Sequence, residues 1–432
     1  MNISKTTVGA VFVVLVLLSL WTPGEYLPGA TELVRYAMFL SCSMFIVIVA
    51  YASGRLRVPH GSEALLIAAF LFYVALSALW STREADTYIK ALLIFSALIT
   101  ALATASLLRL DEVFRLVLVG AAIFVFASVA VALLVPSIGV ETSWEHAGKW
   151  RGLAGQKNGL GSVSSLVLVM ALGLSMRPRE TIEARRWAFL GRVVVVCVAA
   201  LGTYMSGSRG AQLSAVIGIA TLLIAHAPAL LQKLLLLSAL LFSVPLVNLA
   251  VSTFFIDADK IGVVGLTINT NSRTTIWEYG LRQMEGQELL GYGVNGFWTD
   301  ERMEIFKAAH GWVLDNFHNG YVTIFVEGGV VGFSLLVLGI GFVYALLLMA
   351  LGPIKDRGLA VAFAFTNEFS INNLVENGAG RSTSLSIILF AIIAFSLRAY
   401  ILALLPTARP TPDVNHAGIR QSRLIPSKHA GV

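Results

Sequence analysis

The stretch EVFRLVLVGAAIFVFASVAVALLV, residues 112–135, holds no charged residue after Arg115 and stops at Pro136. A bilayer core about 30 Å thick takes about 20 mostly apolar residues as a helix. This run therefore has the length of one complete crossing. Comparable runs occupy 8–21, 33–53, 62–80, 87–108, 159–176, 188–206, 210–227, 229–251, 319–351, 357–376 and 383–405. Pro23, Pro136, Pro178, Pro228 and Pro353 punctuate their ends. The expected fold is all-α: a polytopic membrane protein with about twelve transmembrane helices and one long loop, 252–318, between helices nine and ten. Residues 1–405 make the transmembrane helical domain. Residues 406–432, where Pro406, Pro410, Pro412 and Pro426 stand among polar residues, read as a disordered tail.

Composition leaves little room for another class. Of the 432 residues 57% are hydrophobic and 13% charged, with a mean hydropathy of +0.79. Ordinary globular proteins carry about 25% charged residues, and a soluble fold of this size would lack the polar side chains to clothe its surface. Disorder, a disulfide scaffold and a soluble multidomain enzyme are excluded. Cys42 and Cys197 lie in apolar runs and offer neither a disulfide framework nor zinc-ligand spacing. The net charge of +6 is not gathered into a basic stripe, so nucleic acid is not an expected partner. The first run follows Lys5 but leads to no A-x-A cleavage site, so it reads as an uncleaved span.

The distribution of cations orients the chain. Lys5, Arg55, Arg57, Arg109, Arg115, Arg177, Arg179, Arg185, Arg186, Lys233, Lys355, Arg357, Arg398 and the basic tail all fall on one side, mostly in short connections. By the positive-inside bias that side is cytoplasmic and holds both termini. On the opposite face the cations are concentrated: Lys149, Arg151 and Lys157 within 136–158, Arg209 in the turn between spans seven and eight, and five more in 252–318. Basic residues close to membrane level on the unexpected side point to an anionic ligand, and a long loop is commonly functional.

Four segments there carry candidate chemistry. RGLAGQKNGLG, Arg151 to Gly161, opens span six; its glycines let backbone approach a ligand, and Lys157 and Asn158 stand at a helix start where N–H groups favour anions. The alternative is a tight loop with Lys157 snorkelling to the interface. SGSRG, Ser206 to Gly210, places Arg209 at the outer surface, as a bidentate phosphate grip or as an interfacial anchor. NSRTTIW, Asn271 to Trp277, puts Arg273 and Trp277 on one helical face. In GYGVNGFW, Gly291 to Trp298, the rings of Tyr292, Phe297 and Trp298 are placed by default in an interfacial aromatic belt, with sugar contact as the alternative.

In the fourth segment, HNGYVTIFVEGGVVG, His318 to Gly332, the loop re-enters the membrane. Histidine, with an ordinary pKa near 6.5, is the natural general base at neutral pH. Glu327, nine residues on, points away from His318 on a continuous helix. Gly328 and Gly332 form a G-x-x-x-G that reads as close helix packing. Asp257-Ala258-Asp259 matches a metal-holding D-x-D but reads as a solvated pair, and no metal site is expected. Glu376 and Arg381 flank a short outer turn, as an ion pair or as ligand contacts.

Taken in order, Gly155–Gly161, Ser206–Gly210, Asn271–Trp277, Gly291–Trp298 and His318–Gly332 resemble the bacterial O-antigen polymerase and O-antigen ligase superfamily, which includes exopolysaccharide polymerases. Gln156 stands where that family often has a histidine. The resemblance implies glycosyl transfer, without metal or other cofactor, at the periplasmic face of the inner membrane. The implied donor is a glycan linked through pyrophosphate to undecaprenol, and the implied acceptor is another glycan. Other polysaccharide-assembly proteins are implied as partners besides the lipid bilayer.

By motif position the family's two arginines and histidine fall on Arg209, Arg273 and His318. Lys157 is a further pyrophosphate contact, and Asn158, Tyr292, Trp298, Asn319, Tyr321 and Glu376 are candidate sugar or supporting contacts. The three central residues are expected to line one cavity. The resemblance leans towards a polymerase, with a ligase acting on lipid A-core as the alternative. A non-enzymatic transporter is the other class, for which ionisable groups beside broken helices at mid-membrane are expected; Glu368 is the main such residue.

Overall fold

The computed structural model describes residues 4–22, 30–58, 60–82, 84–143, 146–174, 181–228, 230–232, 260–263, 266–269, 273–311, 314–351, 354–379 and 384–405. Apart from one small hairpin, β1 (Lys260–Val263) paired antiparallel with β2 (Leu266–Asn269), its regular elements are helices. In chain order these are α1 (Lys5–Leu20), α2 (Ala30–Ala52), α3 (Ser62–Leu76), α4 (Glu84–Leu107), α5 (Leu110–Leu134), α6 (Lys157–Gly173), α7 (Ile182–Met205) and α8 (Arg209–His226). After the hairpin come α9 (Arg273–Arg282), α10 (Asp300–His310), α11 (Gly320–Leu351), α12 (Arg357–Val375) and α13 (Leu385–Leu404), with single turns at Ser77–Leu79 and Pro136–Gly139.

Eight of these helices are long and apolar enough to cross a membrane: α2, α3 with its following turn, α4, α5, α7, α8, α11 and α13. The apolar helices α1 and α6 are shorter. Helix α12 has the length, but Thr366, Asn367, Glu368, Ser370, Asn372 and Asn373 make it too polar to be counted. The ninth expected run, 229–251, falls almost wholly outside the described residues, as do Asp257, Asp259, Arg381 and the tail. Residues grouped on one side by charge do meet at one end of the bundle. Lys5 pairs with Glu112 at 3.3 Å, Lys355 donates to Ala227 O at 2.9 Å, and Arg398 grips the fully buried Glu63 through two hydrogen bonds of 3.0 and 3.1 Å.

Small residues set the helix packing, as expected where helices approach closely in a membrane. A Cβ on Gly173 would sit 2.5 Å from Val361, on Gly202 2.5 Å from Ser164 and on Gly218 2.6 Å from Val169. These contacts draw α6, α7, α8 and α12 together. Gly328 and Gly332 face the ring of Tyr73 on α3, in agreement with the packing role read from their spacing.

Helix α11 is broken at Gly329, where φ 61° and ψ −167° interrupt the hydrogen-bond ladder. The turn 288–293 fills the break. Tyr292 N–H and Gly293 N–H donate to the carbonyls of Val326 and Glu327 at 3.0 and 2.8 Å, while Val330 N–H and Val331 N–H donate to Glu288 O and Leu289 O at 2.8 and 3.2 Å. Backbone groups freed by a broken helix at membrane depth need such partners. The Tyr73 hydroxyl lies 2.9 Å from Gly328 O and 3.1 Å from Leu290 O, and it pins both strands of the junction.

The second half of the long loop is itself folded. Ile276, Met284, Phe297, Phe306, Phe317 and Val326 belong to a compact core distinct from that of the bundle. Tyr292 and Trp298 are 8% and 3% exposed within it. The interfacial belt expected for these rings is therefore not what they form. Tyr279 stacks on Trp298 at 5.8 Å, Phe297 meets Trp298 edge-on at 5.1 Å, and the Arg302 guanidinium lies over the Tyr292 ring at 4.4 Å. A glycine-rich turn allowed a belt reading because sequence alone does not show that α9 and α10 supply an apolar partner face.

Gly291, at φ 70°, tests this junction. An added Cβ would lie 2.5 Å from the Glu327 carbonyl, and left-handed strain alone costs about 1–2 kcal/mol. Gly291→Ala is expected to lower the thermal unfolding midpoint of the solubilised protein by several degrees. Gly191→Ala on α7, where a Cβ meets nothing within 4 Å, is expected to leave it in place.

Candidate functional site

At the bundle end bearing the folded loop, Glu376 draws four segments together. Asn158 Nδ2, in the first turn of α6, donates to Glu376 Oε1 at 2.7 Å. Arg273 Nη2, at the start of α9, lies 3.6 Å from the same oxygen, and its Nη1 donates to Val375 O at 2.6 Å. Glu376 O accepts from Gly320 N–H at 3.0 Å, and Glu376 N–H donates to Asn372 O at 2.7 Å. Hydrogen bonds to charged groups contribute about 1.5–3 kcal/mol each when partly buried. Glu376 is therefore a structural receptor for Arg273.

Arg209 enters from α8. Ser208 caps that helix, its Oγ accepting from Ala211 N–H, while Ser206 Oγ accepts from Ser208 N–H at 3.2 Å. Ser206 and Ser208 are buried and Arg209 is exposed. A Cβ on Gly210 would touch Val375 at 2.6 Å, so the helix start that carries Arg209 abuts the residue whose carbonyl holds Arg273. Gly161 lies equally close to Ser206 and Ser208, which fixes α6 against the same turn.

Lys157 shares this neighbourhood, but its helix start does not await an anion. Glu141 Oε1 already accepts from Lys157 N–H at 3.0 Å, with Arg151 3.7 Å from the other oxygen. The glycines of this segment serve chain packing: a Cβ on Gly152 would strike Ser128 and one on Gly155 would strike Thr22. Lys157 precedes the apolar run of its span. Burial pushes its ammonium below the ordinary lysine value, while Glu376 and Glu141 pull it up and Lys149 and Arg273 push it further down.

His318 stands at the mouth of α11 with φ 47°, one of two described non-glycine residues in the left-handed region. Its N–H donates to Asn316 Oδ1 at 2.9 Å. Strained backbone of this kind concentrates at functional sites. The next residue, Asn319, is buried and structural: its Oδ1 caps α11 by accepting from Tyr321 and Val322 N–H, and its Nδ2 donates to Leu374 O at 3.2 Å. Trp277 Nε1 donates to Phe317 O at 2.8 Å. Arg273 and Trp277, on one face of α9 as their spacing implies, thus tie α9 to the end of α12 and the approach to α11. Glu327 accepts from Asn295 N–H at 2.9 Å.

Beside this junction lies a cavity of about 560 Å³. Asn158, Trp298 and Glu376 line it; Arg209, Arg273, His318 and Lys157 are not part of its lining. Arg209, Arg273, His318 and Lys157 stand as a cationic rim next to this polar chamber, joined to it at Glu376 and at Phe317. Tyr292 and Tyr321 are away from the chamber wall, the first packed in the loop core and the second bonded through its hydroxyl to Ser370 O at 3.1 Å. The chamber also contains Glu327, weighed in the sequence only for its direction from His318, and Arg35, Lys90, Asn295 and Asn377, which motif reading did not single out. Their signal was an ionisable residue inside an apolar run, at Arg35 in 33–53 and Lys90 in 87–108.

The fold and this end define a multi-pass helical membrane protein with a cationic site capped by its own loop. A family model described as O-antigen ligase matches residues 193–337, which include Arg209, Arg273 and His318 but neither Lys157, Asn158 nor Glu376. That match supports the O-antigen ligase and polymerase superfamily. No curated protein gives a significant match.

If Glu376 anchors Arg273, their effects on stability are coupled. Arg273→Ala and Glu376→Ala are each expected to lower the unfolding midpoint. The double variant should lose less than the sum, with a coupling of about 0.5–3 kcal/mol, measured by denaturant titration of the purified protein.

Proposed function

We propose that this chain is an inner-membrane glycosyltransferase that polymerises polysaccharide repeat units at the periplasmic face, drawing them from undecaprenyl-pyrophosphate-linked donors. The supporting observation is the junction at Glu376, which holds Arg273 against the helix start bearing Arg209; both arginines lie in the segment that matches the O-antigen ligase family. In this reading the chain crosses the membrane about twelve times with both termini cytoplasmic, and the folded loop is periplasmic.

The chemistry follows from charge. Breaking the bond between the anomeric carbon and the pyrophosphate oxygen leaves negative charge on the lipid pyrophosphate. Cations placed there stabilise the transition state. Arg209 and Arg273, with Lys157 behind them, supply that charge without a divalent ion. His318 takes the proton from an acceptor hydroxyl as its oxygen bonds to the anomeric carbon from the opposite face, so one displacement inverts that centre. Anchored by Asn316 and the Asn319 cap, His318 has the fixed backbone that a base needs.

The family description itself names a ligase, so ligation of finished glycan to lipid A-core is the second reading. Product sizing separates the two. Deletion of a polymerase leaves single repeat units, whereas deletion of a ligase leaves unattached long chains.

Asparagine tolerates the left-handed backbone of position 318, so His318→Asn isolates the imidazole. It is expected to express and fold while losing at least ~100-fold in transfer, within the usual range for a general base. Normal polymer from this variant would refute the base assignment. Wild-type transfer in excess EDTA is expected to persist; loss on chelation, restored by a divalent ion, would refute the metal-free mechanism.

A further inference from the structure

The chamber beside the cationic rim holds three of the candidate sugar contacts, Asn158, Trp298 and Glu376, together with groups that no motif singled out. Its volume of about 560 Å³ lies inside the ~300–1,000 Å³ range of small-molecule sites. Its wall is polar, and its charged groups are partnered. Glu32 pairs with Arg35 at 2.9 Å, and Arg35, 4% exposed, also donates to Leu18 O. Lys90 Nζ donates to Asn295 Oδ1, and Asn295 N–H donates to Glu327 Oε2. Glu376 receives Asn158 and Arg273, and Asp315 receives Asn316 Nδ2 at 2.7 Å.

Each wall carboxylate thus already has a cation or amide beside it, and the carboxylates Glu32, Asp315, Glu327 and Glu376 outnumber the wall cations Arg35 and Lys90. A ligand carrying its own acid would meet this surplus, and it could reach a wall cation only by drawing it from its present partner. A ligand rich in hydroxyls meets acceptors in the carboxylates and both kinds of partner in the amides of Asn295, Asn372 and Asn377. Asn295 Nδ2 is buried and has no acceptor among the described residues, although Asn295 Oδ1 is engaged by Lys90. Trp298 adds an indole to the same wall.

We propose that this chamber is the acceptor subsite and that it selects an uncharged sugar terminus over an acidic one. The inference rests on the glycosyltransferase reading. Phe317, adjacent in sequence to His318, and Glu376, the receptor of Arg273, both line the chamber. A sugar seated there has a hydroxyl beside the base, while the donor pyrophosphate occupies the cationic rim outside. The order of the parts is acceptor, base, anomeric carbon, arginines.

The test uses the full chain in lipid nanodiscs with a lipid-pyrophosphate repeat unit isolated from the deletion strain. Two acceptor oligosaccharides are compared that differ only in a terminal uronate against its carboxyl-reduced sugar. The neutral acceptor is expected to show a KM at least about tenfold lower, the scale of one hydrogen bond. Equal use of the two, or preference for the uronate, would overturn the proposal.

Asn295→Gly keeps the left-handed backbone at φ 55° and removes the amide, and Asn372→Ala removes a second wall amide. Each is expected to raise the acceptor KM by about tenfold with little change in the donor KM. A rise in donor KM alone would place the donor in the chamber and overturn the subsite. Because the acceptor comparison uses wild type, it stands even if a variant misfolds. Wild-type protein that leaves the donor lipid intact would instead bring down the underlying function, and the subsite with it.

Discussion

The carboxylate of Glu376 is the contact through which the rest of the site is arranged. Asn158 of α6 and Arg273 of α9 meet on its side chain, Gly320 of α11 meets its carbonyl, and its own N–H closes the last turn of α12. A carboxylate taken out of water without partners is strongly unfavourable, whereas one that accepts from several donors is held in place. The four segments therefore have a common electrostatic reason to converge. Arg273 is 21% exposed and Glu376 16%, dry enough for the pair to hold and open enough for Arg273 to face an incoming anion.

Glu376 is located in turn by a polar ladder between α6 and α12. Below Asn158–Glu376 come Ser162 Oγ to Asn372 Oδ1 at 3.3 Å and Ser165 Oγ to Glu368 Oε1 at 2.6 Å, each about one helical turn deeper. Apolar faces slide past one another at little cost, because lipid tails and leucines are alike. Three polar pairs in series do not, since a slip of one turn would unpair each of them. The polarity of α12 that removes it from the set of clearly apolar spans is what fixes its register beneath the site. Glu368, read from sequence as a feature of transporters, is a rung of this ladder.

Much of the architecture was legible because long apolar runs have few alternatives in a chain with 13% charged residues. Eleven of the expected runs are helical, and Arg209, Arg273, Lys157 and Asn158 do fall at one end of the bundle. What was not legible depends on pairing between distant segments. Nothing local to Tyr292 shows that Gln283 and Arg302 will bury it. Likewise, the glycines of 151–161 announce close approach without saying to what: Gly152 and Gly161 abut Ser128 and Ser206, while Gly155, against Thr22, also lines the chamber. Arg35 and Lys90 sit in separate spans without any shared motif, so their meeting in one chamber is a property of the bundle.

The break in α11 bears on the choice between enzyme and transporter. Transporters use broken helices to expose backbone dipoles to an ion or substrate, and they move those helices during the cycle. Here the exposed groups of Val326, Glu327, Val330 and Val331 are consumed by the chain's own 288–293 turn, and Tyr73 locks the joint. A break filled in this way has no dipoles left for a passing ion. The segment of α11 before the break carries Thr323 and Glu327 into the wall of the chamber, with His318 at its mouth. A joint that ties the folded loop to the wall of the chamber in this way suits a site whose groups must keep fixed positions.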